Sequence, residues 1–156
     1  MQLQTLRIRR MFAVFACLSS TVAVAAGDEK PDAERIVGVW VLESSEKKND
    51  LFEGDGVTTR LTFEGERLEF AVLKDGGKVL QIAGSYFLDD KQTPKLFDLT
   101  LTGDGGSNSV YALYEFQGDK LRIRVRDNNG PRPADFTSPA ADCNTLTFRR
   151  DEVAKP

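Results

Sequence analysis

The chain of 156 residues contains no histidine. Without it there can be no Ser-His-Asp triad, no Cys-His pair and no histidine-ligated metal. Cysteine is nearly missing, with Cys17 and Cys143 alone, and tryptophan occurs once, as Trp40. Basic residues are outnumbered, 21 against 24 acids. Such a surface repels phosphate and anionic lipid, which argues against nucleic acid as a partner. A long apolar run occurs once, in "MFAVFACLSSTVAVAA" from Met11, and it is too short to span a bilayer comfortably.

What precedes and ends that run gives it a meaning. Arg7, Arg9 and Arg10 stand before it with no acid among them, and Val24 and Ala26 occupy small-residue positions at its end. Residues 1–26 therefore read as a secretory signal peptide cleaved after Ala26, and the product is expected to be exported, periplasmic or secreted. With those three arginines removed, 18 basic residues face 24 acids, a net of −6. Cys17 has two readings, a lipid-attachment site or an apolar filler removed with the leader. Bulky Phe15, where a small residue is expected, favours the filler, and a membrane contact is expected only if Cys17 is lipidated. Cys143 is then alone, so no intramolecular disulfide is expected and the core must hold the domain. With no histidine to activate it, Cys143 reads as a small hydrophobe.

Residues 27–35 form a linker, 36–150 one domain and 151–156 a tail. "PDAERIVG", Pro31 to Gly38, permits one short helical turn. Beyond it, apolar and polar residues alternate in runs separated by turn residues. Strands are expected at 39–45, 58–64, 67–73, 78–87, 95–102, 109–116, 120–126 and 144–150. The fold class is therefore all-β, an eight-stranded antiparallel up-and-down barrel, whose closure removes exposed strand edges. Requiring apolar residues to share one face sets the registers. Gly65-Glu66 as a two-residue turn opposes Phe63 to Leu68 and Leu61 to Phe70; Gly118-Asp119 opposes Phe116 to Leu121, Tyr114 to Ile123 and Ala112 to Val125. In "KDGGK" a three-residue turn, Asp75 to Gly77, places Leu80, Ile82 and Tyr86 inside.

Several stretches carry a resemblance. Gly38-x-Trp40 after a short helical turn, and the arginine ending "LTFRR", look like the lipocalin signature. "GVW", "LTFEGERLEF", "PKLFDLT", "YEFQGDKLRI", "RPADF" and "LTFRR" together resemble a family of short exported lipocalin-like domains abundant in planctomycete bacteria, over roughly residues 36–150. The resemblance implies a barrel and hardly any chemistry, since members of that family are largely of unknown function. Where the family often reads "GIY", this chain has "ALYEF", with Ala112 at the glycine or similar small residue.

In an up-and-down barrel the first strand begins where the eighth ends, so Trp40 and Arg150 are expected to stack at a closed rim. Lys120, Arg122, Arg124 and Arg126 alternate along one strand, as a solvated outer face or an anion or partner site. The pairs Asp89-Asp90 and Glu64 with Glu66 fall at turns, where solvation explains them better than glycosidase chemistry. "GDGGSNS", Gly103 to Ser109, reads as a hairpin loop; it offers oxygens for calcium without EF-hand spacing. No cofactor, metal or catalytic set is indicated, and the protein is not expected to be an enzyme.

Two readings of function remain. In the first, the barrel binds a small apolar molecule without catalysis. In the second, a solid-cored barrel serves as an envelope or extracellular interaction or structural protein. For the first, inward residues near the tight turns are bulky and those near the long loops small. A pocket is therefore expected at the loop end, lined by Leu61, Val72, Leu80, Ala112 and Val125. The proline-rich connection Asp127 to Asp142 is expected to be either a loop held for packing or an ordered lid. As a lid, Arg132 would tie it down, beside Pro133, and Phe136 would tuck into the open rim.

Overall fold

A computed structural model describes residues 30–47, 52–103, 106–127, 130–137 and 142–152. Residues 1–29, with Cys17, and those beyond Glu152 lie outside the described residues, so the expected leader is not described. One short helix, α1 (Asp32–Arg35), precedes eight strands: β1 (Gly38–Ser45), β2 (Val57–Glu64), β3 (Arg67–Lys74), β4 (Gly77–Asp89), β5 (Lys95–Gly103), β6 (Gly106–Gln117), β7 (Lys120–Arg126) and β8 (Cys143–Arg150). Each strand pairs antiparallel with the next, and β8 with β1, so the sheet closes into an up-and-down barrel. The period-2 alternation of the sequence becomes an inner apolar wall and an outer polar one.

Both short turns at one end have the expected register. Phe63 faces Leu68 and Glu64 faces Arg67 across Gly65-Glu66, and Phe116 faces Leu121 and Glu115 faces Arg122 across Gly118-Asp119. Gly65 and Gly118 take positive φ, 58° and 62°, at the first turn position, as a tight hairpin requires.

Two local expectations need correction. The β3–β4 turn has two residues, Asp75 and Gly76, both at positive φ, with Lys74 paired to Gly77. A bulge then restores the inward set, so that Val72 faces Leu80 and Phe70 faces Ile82 while Val79 is pushed outward and exposed. The facing follows the expectation because burial decides it; the turn chemistry differs because Asp75 adopts the left-handed backbone beside a glycine. Likewise "GDGGSNS" is mostly strand: Gly103 pairs with Gly106 and Leu101 with Asn108, so both strands run farther than the expected loop allows.

At the end holding Gly65 and Gly118, the interior is filled by aromatic rings in edge and tilted contact. From Phe63 the contacts run through Tyr86, Phe97, Tyr114 and Phe116 to Trp40, with centroids 5.0 to 6.4 Å apart. Beneath them lies α1, whose following residue Ile36 is fully buried.

Candidate functional site

The closed end is fastened by the side chains of Trp40, Arg150 and Arg35. Trp40 donates its indole N–H to the Ile36 carbonyl at 2.7 Å, and the Arg150 guanidinium lies 4.3 Å from the indole ring centre. Arg150 also donates to the carbonyls of Val37, at 2.8 Å, and Arg35. Gly38 makes this possible, because its φ is +119° and a Cβ there would meet the Arg150 Nη1 at 2.8 Å. Arg35 in turn lies 4.2 Å over the Phe116 ring and donates to the Gly118 carbonyl at 3.0 Å. Gly38, Trp40 and Arg150 thus form one structural unit that seals a rim.

Sequence reasoning missed a second fastening. Buried Asp32, from α1, accepts from the Tyr114 hydroxyl at 2.8 Å and from the Lys95 Nζ at 2.5 Å. Burial, then the bond to Asp32 and the nearby Asp32, Asp90 and Asp89 charges, raise the Tyr114 pKa above its usual value. The phenol stays protonated and holds the plug in place. An acid followed by a helical turn gave no hint of this, because its partners lie far along the chain.

At the loop end the side chains leave more room. Inward-facing Leu42, Phe70, Leu99, Leu101, Val125 and Leu146 pack on the core yet remain partly exposed, and Leu80, Ile82 and Val110 are half-buried. A recess of about 340 Å³ opens there, bounded by Ile82, Leu101, Thr102, Gly103, Gly106, Ser107 and Asn108. None of the residues expected to line a pocket bounds this recess; Leu80 and Val125 are half-buried. Leu61, Val72 and Ala112 are at most 5 % exposed and belong to its packed floor or to ground already covered. The cover is Phe52, whose ring meets Phe70 edge-on at 5.5 Å and whose carbonyl accepts from buried Thr59 at 2.8 Å. Phe52 therefore covers the β2–β3 side of the mouth, and the recess opens toward β4–β6.

Residues 130–137, the described part of the proline-rich connection, do not cross that mouth. Arg132 does tie it down, but to the outer wall, donating to the Ala112 carbonyl at 2.6 Å and to Asp98 at 2.5 Å and lying over the Tyr111 ring. Pro133 is buried and Phe136 sits 5.3 Å from the Arg122 guanidinium, near the closed end. Phe136 is thus neither a lid residue nor a pocket-lining one. The reason is visible in β6 and β7: outward-facing Leu113 and Arg124 are almost fully buried, and an apolar side chain on an outer wall needs a cover. The arginine stripe is accordingly paired: Lys120 with Glu43, Arg122 with Glu115, Arg124 with Glu46 and Arg126 with Asp142. The bond from Arg126 lowers the Asp142 pKa.

Among the described residues no group of three His, Cys, Asp or Glu side chains could hold a metal ion. The recess, or cup, is bounded by aliphatic Ile82 and Leu101, with the hydroxyls of Thr102 and Ser107 and the amide of Asn108 at its edge, and its apolar side chains can shield part of an apolar molecule from water. No protein-family model, curated protein or solved structure matches the chain.

Proposed function

We propose that the protein is an exported, non-catalytic binding barrel that takes a small uncharged apolar molecule into the cup at its loop end. One observation carries this reading: a recess bounded by Ile82 and Leu101 opens at the loop end, where inward aliphatic side chains are only partly buried, whereas the other end holds the fully buried rings of Trp40, Phe63, Phe97 and Tyr114. A barrel of eight strands is just wide enough to be filled by side chains, so open apolar walls in one half mean that filling stopped short there. Burying such walls under a ligand is favourable at roughly 25 cal/mol per Å² of apolar surface.

The reading is tested by displacement of a hydrophobic fluorescent dye from wild type and from Leu101→Trp, which fills the cup. Wild type should bind the dye and the variant should not, at unchanged thermal stability. Equal dye binding by both would remove the basis of the proposal.

The alternative, a solid barrel acting through its outside, is favoured by the complete burial of Val72 and Ala112 and by the Phe52 cover. Native mass spectrometry separates the two, since a retained small molecule supports the carrier and a co-purifying protein the scaffold.

A further inference from the structure

The recess at the loop end has two sides. On β5 and β6 its residues alternate: Leu101 and Asn108 are a cross-strand pair facing inward, in the same set as Phe97 and Ala112, and Thr102 and Ser107 are the next pair, facing outward. Ile82 of β4 belongs to the inward set, opposite Phe70. It bounds the recess because β4 and β5 part there. A Cβ at Gly84 would meet the Thr100 carbonyl oxygen at 2.2 Å, so the two strands are drawn together at that point. Their pairing ends one residue later, at Ala83 and Thr102, and β4 runs on from Ile82 to Gly77 with β3 as its one strand partner among the described residues. The recess therefore lies where two strands diverge, with hydroxyls on its outer side and aliphatic side chains on its inner side.

Polarity changes across the recess without charge. Ile82 and Leu101 are half-buried, whereas Thr102, Ser107 and Asn108 are exposed and their side chains have no hydrogen-bond partner in the protein. Among the described residues no ionisable side chain bounds it, in a sequence that is 29 % charged. Asn108 breaks the inward pattern of its hairpin, where Phe97, Leu99 and Leu101 on β5 and Ala112 and Val110 on β6 are all apolar. Its amide brings both donors and an acceptor to the edge of an apolar surface.

Resting on the reading of the cup as a binding site, we propose that its ligand is an uncharged amphiphile, a single short alkyl chain carrying a hydroxylated head. The tail lies against Ile82 and Leu101, and the head stays at the β5–β6 tip, where Asn108, Thr102 and Ser107 exchange hydrogen bonds with its hydroxyls. Two apolar side chains cover one narrow chain and no more. An ionised head would give up water to hydroxyls and an amide that carry no compensating charge. An anionic head would also meet a protein in which 24 acids outnumber 21 bases. Asp104, outside the described residues, is the one acid between Leu101 and Asn108, and a cationic head is the alternative it would favour.

Isothermal titration calorimetry of the full chain with octyl glucoside, octanoate and octyltrimethylammonium, each below its micelle concentration, tests the proposal, with glucose as a head without a tail. The glucoside should bind about tenfold more tightly than either ion, and glucose should not bind. Asn108→Asp should shift the preference to the cation and Asn108→Lys to octanoate. Asn108 is exposed, so thermal melts should show both variants folded. Equal binding of the three chains, a preference of wild type for either ion, or preferences that neither Asn108 variant moves would overturn the uncharged head read at Asn108 and leave the cup standing. If wild type takes up the hydrophobic dye but none of the three chains, the amphiphile falls and the cup again stands. If it takes up neither, both readings fall.

Discussion

The two ends of the barrel share one backbone plan and differ in what fills it. At the closed end, six aromatic rings, an indole capped by Arg150 and a buried Asp32–Tyr114–Lys95 cluster leave no inward apolar position unsupported. At the loop end, aliphatic side chains meet the same barrel width and cannot span it, and Phe52 covers one side only. In a barrel, side-chain volume along each strand therefore separates the part that confers stability from the part available for binding.

The sharpest way to break this contrast is to truncate the closed end. Trp40→Ala removes a buried indole and the surface on which Arg150 rests, and should cost about 3–5 kcal/mol, read as a shifted denaturant midpoint. A loss similar to that of a loop-end truncation would show that the ends are energetically alike.

Arg132→Ala should come next, at about 1–2 kcal/mol, because two charge-assisted bonds, to the Ala112 carbonyl and to Asp98, hold residues 130–137 on the outer wall. Hydrogen exchange should quicken in residues 130–137, while dye access to the cup stays as in wild type. Increased dye access would return that segment to the role of a lid.

Tyr114→Phe sharpens the comparison through pH. The native phenol has a raised pKa, whereas in the unfolded chain it ionises near its ordinary value, about 10. The unfolded state then holds fewer protons than the native state above that pH, so stability is complete below it and falls as pH rises through it. The variant should be about 1 kcal/mol less stable at neutral pH and lose less than wild type as the medium becomes alkaline. A residual slope is expected from Tyr86, raised in the same direction by burial and by Glu66. Parallel pH curves for wild type and variant would remove the role given to the Asp32 contact.

The smallest effect should come from the loop end, where Leu101→Ala trims a side chain that is already partly exposed. A change of about 1 kcal/mol or less is expected, with dye affinity reduced.

Strand positions, inward sets and the stacking of Trp40 with Arg150 were legible because each follows from local alternation and from closure of an eight-stranded sheet. The course of "DNNGPRPADF" was not legible. Its length and prolines say that it is ordered or functional, but the choice of outer wall over mouth depends on Asp98, the Ala112 carbonyl and Leu113, residues placed beside it only by the barrel. Asp32 is a similar case, an ordinary first-turn acid until Tyr114 and Lys95 arrive from strands more than 60 residues away.

Sequence alone determined the up-and-down barrel, since period-2 alternation and short turns act between neighbours in the chain and leave few ways to bury the apolar face. Tertiary structure alone decided that Phe52 covers part of the mouth, where the recess opens and that Arg132 ties its segment to the outer wall. Those features depend on residues distant in sequence meeting across strands, and the energy of such a meeting is a property of the pair and its surroundings, not of either residue.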